Sequence, residues 1–441
     1  MTYKEARVYL DEVSKYGSVL GLDAIRGLLC ELGNPQDDLK FIHIAGTNGK
    51  GSVLAYTSTI LSEAGLKTGR YVSPTVLSYL ERIQVDGQWI SEEIFAELVE
   101  EVQRAVARME TDGKASPTVF EIETAIAFLY FRKMKCDVVV LETGLGGRLD
   151  ATNVVKNTEI AVFVAISRDH MGFLGETLEE IAENKAGIIK PGCTVVSAVQ
   201  EPCVRAALER EAQKYGCTVI YAEPEKAEVI EENYLGQTFA YKGMEAIQIG
   251  LAGRYQIGNA VTAWEVVQAW NHRISEAGRI SEQAVCAGFA KTKWPGRFTC
   301  ISENPVFIVD GAHNEDAARR LKESVEIYFP KKKLTYIMGV FKDKEYEKIV
   351  ELMIPYAKRV YTVDLPDGNR SLSSEVLRDV IKKASDDKTI EAKAVGTVED
   401  AVQCALQNAG NEDVILAFGS LSYLGRVMMA AEVFQNMRKR K

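Results

Sequence analysis

The chain has no apolar stretch approaching the roughly 18 residues that a membrane-spanning helix needs. Its opening, Met1-Thr-Tyr-Lys-Glu-Ala6, reads as the start of a helix with mixed polarity and not as a signal peptide. Both observations predict a protein of the cytoplasm with no membrane partner. Cysteine is present but unpatterned: the eight cysteines, at 30, 136, 193, 203, 217, 286, 300 and 404, form no C-x-x-C pair. That spacing argues against a zinc site or a disulfide frame and predicts reduced, mostly buried thiols. Positive charge is in deficit, 53 Lys and Arg against 62 Asp and Glu, for a net charge of -9. A broad nucleic-acid-binding face is therefore not expected. Histidine is scarce, with only His43, His170, His272 and His313, so each can be weighed singly. No internal repeat or low-complexity segment stands out.

What is present is a rhythm. At 441 residues the chain exceeds one ordinary hydrophobic core, which predicts two domains. Short apolar runs at Phe41–Ala45, Val138–Leu141, Ile160–Ile166, Thr194–Ala198 and Thr218–Tyr221 alternate with amphipathic stretches such as Ser91–Met109 and Thr118–Lys133. Such alternation predicts a mainly parallel sheet covered by helices. Residues 226–252 carry glycines at 236, 243 and 250 between short alternating runs and predict antiparallel hairpins. Arg254–Trp270 returns to helix. After Pro295-Gly296 the rhythm restarts, with strands expected at Val306–Val309, Leu334–Met338, Arg359–Val363 and Val414–Phe418. The boundary is placed there, giving a first domain of residues 1–295 and a second α/β domain of 296–441.

Gly46-Thr-Asn-Gly-Lys-Gly-Ser52 follows the first apolar run and precedes a helical stretch. Strand, glycine loop and helix together build a phosphate site. Backbone N–H groups and the helix N-terminus face the anion, Lys50 adds a full charge, and the Ser52 hydroxyl is suited to a phosphate-bound magnesium. The loop departs from G-x-x-x-x-G-K-[ST], because its first glycine lies too near Lys50 and Gly51 separates Lys50 from Ser52. After the second apolar run comes Glu142-Thr-Gly-Leu-Gly-Gly-Arg-Leu-Asp-Ala-Thr-Asn153. A carboxylate at the carboxyl end of a buried parallel strand stands where open α/β sheets hold ligands, and a hard cation takes such oxygens. The alternative is a solvated strand end before a turn. His170 and His313 follow strand ends, as ligand-binding residues do, whereas His43 and His272 fit structural or exposed roles. Lys185 beside a magnesium site is awkward by charge unless it is neutralised or made anionic by carbon dioxide. Asp310-Gly-Ala-His-Asn314 opens a helix after a strand; Asp310 suits ribose or metal-phosphate contacts, or else Asp310 and Asn314 shape and cap the turn. Gly419-Ser-Leu-Ser-Tyr-Leu-Gly425 follows the last strand and is a candidate loop of the same cleft.

Taken in order, these segments with Ser73-Pro74, Phe120-Glu121, Asp169-His-Met171, Lys185-Ala-Gly-Ile-Ile-Lys190, Gln256, Asn259-Ala260 and Trp294-Pro-Gly-Arg297 resemble the folylpolyglutamate synthases and dihydrofolate synthases of the Mur ligase superfamily, from about residue 40 to 425. The resemblance implies a P-loop central domain of the Mur ligase type and a smaller Rossmann-like C-terminal domain. It implies ATP-dependent ligation of L-glutamate to 7,8-dihydropteroate, and to reduced folates, through an acyl phosphate, by a monomer. By resemblance, Asn48, Gly49, Lys50, Gly51 and Ser52 bind ATP phosphates, and Asn259, Arg297 and Asp310 make further ATP contacts. Ser73, Glu142 and His170 correspond to ligands of Mg2+, two ions in all. Lys185 matches a lysine that is carbamylated in the family. His313 and Ser420 match positions of catalysis or glutamate handling. Thr118, Val119, Phe120 and Glu121, with Leu149, Asp150 and Ala151, match segments that hold the pterin.

The chain departs from the family pattern at Thr75, at Gly253-Arg254-Tyr255-Gln256 and at Arg168. Gly144–Asn153 looks closer to the bifunctional bacterial enzymes than to those that only extend folate. Folate extension alone, another Mur-type amino-acid ligase acting on a cell-wall nucleotide precursor, and a non-enzymatic ATP switch are the competing readings.

Overall fold

The computed structural model describes residues 1–14, 21–168, 174–385 and 390–439. Eight strands form the first sheet: β1 (Phe41–Ala45), β2 (Thr68–Tyr71), β3 (Ile83–Val85), β4 (Gln88–Trp89), β5 (Val138–Glu142), β6 (Thr158–Phe163), β7 (Thr194–Ser197) and β8 (Val219–Tyr221). Their order is β4-β3-β2-β5-β1-β6-β7-β8. All neighbours are parallel except β2–β3 and β3–β4. The central strands β1 and β5 are buried along their whole length, which is why they read as continuous apolar runs. Alternation divides their side chains between two faces. Phe41 stacks edge-on against Phe128 at 5.5 Å on one face, while Ile42 and Ile44 join Val53, Leu54 and Tyr56 of the helix Lys50–Glu63 on the other.

An antiparallel sheet of β9 (Glu228–Asn233), β10 (Gly236–Tyr241) and β11 (Met244–Ile249) follows, where the spaced glycines predict hairpins. The last sheet contains β12 (Thr299–Glu303), β13 (Val306–Val309), β14 (Leu334–Met338), β15 (Ala357–Val363), β16 (Glu391–Gly396) and β17 (Val414–Phe418). Its order is β12-β13-β17-β14-β15-β16, parallel apart from β12–β13. The expected α/β architecture with parallel sheets is the one observed. Among the described residues, no helix is long and apolar enough to cross a membrane; the eight cysteines are free thiols, but only Cys136 and Cys193 are buried, so the expectation of mostly buried thiols does not hold.

Two expectations of detail differ. The apolar run Ile160–Ile166 stops being strand at Phe163 because Ala165 turns its carbonyl to the phosphate loop, accepting from Thr47 N at 2.8 Å and Asn48 N at 3.2 Å. The strand β2 carries Gly69 and Arg70 in four residues and gives no apolar signal, yet it lies inside the sheet between β5 and β3. Gly69 is required there because the Phe131 ring would stand 2.8 Å from an added Cβ.

Candidate functional site at the facing sheet edges

The carboxyl edge of the first sheet and that of the last sheet look into one cleft. Residues 46–52 after β1, 142–146 at the end of β5 and Ser73-Pro74 after β2 line one side; Arg297, residues 310–313 after β13 and Leu421 after β17 line the other. Its space, including the open mouth, is about 1100 Å³. This is where parallel α/β sheets present ligand sites, doubled across two sheets.

The loop takes its shape from three separate constraints. Gly49 caps the helix Lys50–Glu63 at φ +103°, and an added Cβ would sit 2.6 Å from Asn259 Oδ1. At Gly51 the obstacle is Trp294, whose Nε1 would be 2.6 Å from a Cβ. Lys50 curls back over the loop: its Nζ donates to Gly46 O at 3.2 Å and lies 4.0 Å from Glu142 Oε1. Ser52 is buried and its Oγ accepts from Gln256 Nε2 at 3.2 Å, while Asn259 donates to Gln256 Oε1 at 2.9 Å.

Glu142 is buried, and its Oε2 accepts from Ser73 N at 3.3 Å. Burial raises its pKa, opposed by the Lys50 ammonium, that N–H and the Arg297 guanidinium. The carboxylate thus stands in a cationic surround that an anionic ligand would neutralise. Lys185 is also buried, on the helix Leu178–Ala186, and donates to Gly46 O at 3.0 Å. Its own backbone presses on the glycine loop, since a Cβ at Gly147 would be 2.7 Å from Lys185 O. Among the described residues no group of three His, Cys, Asp or Glu side chains forms a closed metal cage. His170 lies outside the described residues. The oxygens of Ser52, Ser73 and Glu142 still suit a hard cation, provided phosphate and water complete its shell.

On the opposite wall, Asp310 is buried with both oxygens engaged. Oδ2 accepts from Phe298 N at 2.8 Å and Tyr255 OH at 3.2 Å, and Oδ1 from Ala312 N at 2.8 Å. Burial raises its pKa, with the Arg297 guanidinium the largest opposing influence. Asp310 therefore fixes the turn that presents His313. His313 Nδ1 lies 2.7 Å from Gly311 O, and a carbonyl can only accept, so the neutral ring carries its proton on Nδ1. The two walls are tied at the phosphate loop: Asn48 Nδ2 donates to Asp316 Oδ2 at 2.8 Å, and Asn314 Nδ2 donates to Asn48 Oδ1 at 3.3 Å. Asn314 also caps the helix Glu315–Tyr328, accepting from Ala317 N at 2.9 Å.

The other expected site residues stand apart from this cleft. Ser420 is buried, and its Oγ accepts from Ser422 N at 3.2 Å in a capped turn. Thr118 and Glu121 form a capping box at the start of the helix Val119–Met134, and Glu121 Oε1 accepts from Ile25 N at 3.1 Å. Phe120 lies against Gly144, where its ring would be 2.5 Å from an added Cβ. Leu149 is exposed, whereas Ala151 and Asp150 are buried. Asp150 accepts from Leu145 N at 2.7 Å and so holds the glycine loop.

Asp150 is the end of a buried relay. Thr152 Oγ1 donates to Asp150 Oδ1 at 2.5 Å and lies 2.8 Å from His43 Nε2. A hydroxyl has one proton, so His43 must be the donor to Thr152, protonated on Nε2. The buried Nδ1, which has no partner among the described residues, is then a bare lone pair. His43 has the structural role and Asn314 the capping role expected of them, whereas Asp316 and Arg320, which lines the cleft, were not singled out from the sequence.

Comparison with known proteins places these features in a family. Residues 44–267 match the Mur ligase middle domain, and residues 296–421 match the Mur ligase glutamate ligase domain. The chain is 33% identical over 433 residues to the dihydrofolate synthase/folylpolyglutamate synthase of Bacillus subtilis, covering 96% of this chain and 98% of that one. A crystal structure of Mycobacterium tuberculosis folylpolyglutamate synthase complexed with ADP and AMPPCP superposes with a TM-score of 0.86 at 29% identity, over 98% of each chain. The E. coli FolC structure in complex with DHPP and ADP superposes with a TM-score of 0.83 at 29% identity, over 98% of each chain. The chain belongs to the dihydrofolate synthase/folylpolyglutamate synthase family of Mur ligases.

Proposed function

We propose that this chain is an ATP-dependent amide ligase that joins L-glutamate to 7,8-dihydropteroate and extends reduced folates with further glutamates. The observation that carries the reading is the pairing, in one cleft, of a phosphate loop with Lys50 and Glu142 against a second wall with Arg297 and His313. Relatives complexed with ADP, AMPPCP and DHPP support nucleotide and pterin binding. In the proposed reaction the substrate carboxylate oxygen attacks the terminal phosphorus of ATP; the bond to ADP breaks and an acyl phosphate forms. The glutamate amine then attacks the acyl carbon, phosphate departs with the C–O electron pair, and the proton lost from nitrogen passes to the departing phosphate.

The residues address the charge problem of that sequence. Lys50, Arg297 and Arg320 supply positive charge to the phosphates, and the N–H groups at the start of the helix Lys50–Glu63 add to it. We assign Ser52, Ser73 and Glu142 as the residues that would hold magnesium, with His170 by resemblance. The ion would neutralise phosphate charge and orient the terminal phosphoryl group. Lys185, as a carbamate, would present an anion to the same site. The contacts of Asn48 with Asp316 and Asn314 hold the walls together, which aligns reactants and keeps water from the acyl phosphate. His313 belongs to the glutamate-handling wall, and Ser420 acts there through the turn it caps. Phe120, Asp150 and Ala151, behind the glycine loop, would hold the pterin. The protein is expected to work as a monomer in the cytoplasm.

Mass spectrometry of the products from ATP, magnesium, glutamate and either dihydropteroate or a tetrahydrofolate tests the assignment. Glutamate-dependent product from both acceptors is expected. Product from neither would overturn it, and product from the folate alone would reduce the activity to chain extension.

A further inference from the structure

Behind the phosphate loop, on the face of the first sheet covered by the helix Lys50–Glu63, lies a second cavity whose space, including its open mouth, is about 900 Å³. It is bordered by Arg70 of β2, by Trp89 of β4, and by Lys291, Lys293 and Trp294 of the segment that joins the two parts of the chain. Its three carboxylates equal its three cations in number, but only Lys291 and Glu63 are in direct contact. Glu63 is paired with Lys291 at 2.7 Å. Glu81 Oε2 accepts from the N–H groups of Val76, Leu77 and Ser78. Asp86 Oδ1 accepts from Thr68 N at 2.9 Å and Ser62 Oγ at 3.0 Å. Each carboxylate thus has other partners, and none is in direct contact with Arg70 or Lys293 among the described residues. Arg70, only 7% exposed, has one acceptor among the described residues, Thr59 Oγ1 at 2.6 Å, and no carboxylate within 4.0 Å. Burial depresses its pKa to about 10, partly countered by the more distant Asp86. Lys293 is exposed and likewise has no carboxylate partner within 4.0 Å among the described residues.

A buried guanidinium with no carboxylate in direct contact is costly, and replacing it by an apolar side chain of similar length would remove that cost. Its planar fork matches a carboxylate better than a point charge would. Lys293 offers a second charge at the rim, and the rings of Trp294 and Trp89 supply flat apolar walls. We propose that this cavity is a second ligand site, which binds the carboxylates of a glutamyl group on Arg70 and Lys293. The choice of a glutamyl occupant rests on the ligase reading; the anion site does not. Free glutamate and the γ-linked glutamate chain of an extended folate share this chemistry. Because Trp294 also covers Gly51, the site abuts the phosphate loop from behind.

Calorimetry with tri-γ-glutamate and with L-glutamate, on the full chain and on Arg70→Met and Lys293→Ala, tests the proposal. Ligation of the first glutamate is assayed in parallel. The expected result is tripeptide binding weakened about tenfold or more in both variants, as for loss of a charged hydrogen bond, with first-glutamate ligation unchanged. Tighter binding of the tripeptide than of L-glutamate assigns the chain as occupant, and the reverse assigns the free amino acid. Equal binding by the variants and the parent, or no binding by the parent, overturns the site. Should Arg70→Met fail to fold, the exposed Lys293→Ala carries the test alone. Arg70-dependent binding in a chain without ligase activity would refute the ligase reading and leave the site standing.

Discussion

His43 offers the sharpest test of the reasoning because four independent facts meet on it. It is buried at the centre of β1, it donates to Thr152, its second nitrogen has no partner among the described residues, and it must stay neutral. Burial, aided by the Lys190 ammonium, pushes its pKa from the ordinary 6.5 to about 3. The folded protein therefore refuses a proton that the unfolded chain accepts. Stability contributed by the neutral ring is fully present above pH ~6.5 and is lost as pH falls toward ~3. Between pH ~7.5 and pH ~5 the unfolded state gains about 1.5 powers of ten in proton binding that the folded state does not, or about 2 kcal/mol. His43→Gln keeps an N–H for Thr152 and cannot titrate, so its stability should fall by about 2 kcal/mol less than the parent's over that interval. Urea unfolding of both proteins at the two pH values measures this. Nitrogen NMR of the four histidines adds a direct view: one ring should remain neutral, protonated on Nε2, throughout. Equal pH slopes in parent and variant, or a His43 signal that titrates between pH ~6 and ~7, would refute the relay.

Other outcomes follow from the cleft. Glu142→Gln should fold normally, since burial already disfavours its charge, yet should need far more magnesium for half-maximal ligation; an unchanged magnesium titration would remove Glu142 from the metal site. Lys185→Ala should lose ligation while keeping its circular dichroism spectrum, and small carboxylates such as acetate should partly restore activity. Unaltered turnover of that variant in bicarbonate-free buffer would end the carbamate reading. Asp316→Ala removes a 2.8 Å hydrogen bond from Asn48 across the cleft and should raise KM for ATP by about tenfold, with a smaller change in kcat. An unchanged KM would mean that the contact does not contribute to nucleotide binding.

The sequence was legible where burial dictates composition. Strands β1, β5 and β17 are buried on both faces, so they appear as uninterrupted apolar runs between glycine-rich turns. The phosphate loop and Glu142 could be read because such chemistry sits at the carboxyl ends of those strands. Illegible elements are those whose neighbours, and not their own residues, make them strands: β2 with Gly69 and Arg70, and β16 at the sheet edge with exposed polar residues. The capping role of Thr118 and Glu121 could have been read from the Thr-Val-Phe-Glu spacing at 118–121. The partnership of Asn48 with Asp316 could not, since 268 residues separate them.

The irregular phosphate loop is explained by that same long-range packing. A loop that only cradled phosphate could place a serine or threonine directly after its lysine. Here Gly51 intervenes, and an added Cβ would collide with Trp294, the residue that precedes Pro295-Gly296 and Arg297. Trp294 in turn borders the cavity that holds Arg70. The extra glycine thus lets the connecting segment lie against the back of the loop while Asn48, three residues earlier, reaches the second wall from the front. The loop is clasped from both sides by parts of the chain that carry Arg297 and His313. A change at Gly51 would therefore disturb the position of the second wall as well as the grip on phosphate. Gly51→Ala should lower ligation more than it lowers ADP binding, because ADP draws only on phosphate contacts of the loop and of Arg297 and Arg320, whereas ligation also needs the terminal phosphoryl group and the second substrate aligned across the cleft. Equal losses in the two assays would assign Gly51 to the phosphate cradle only.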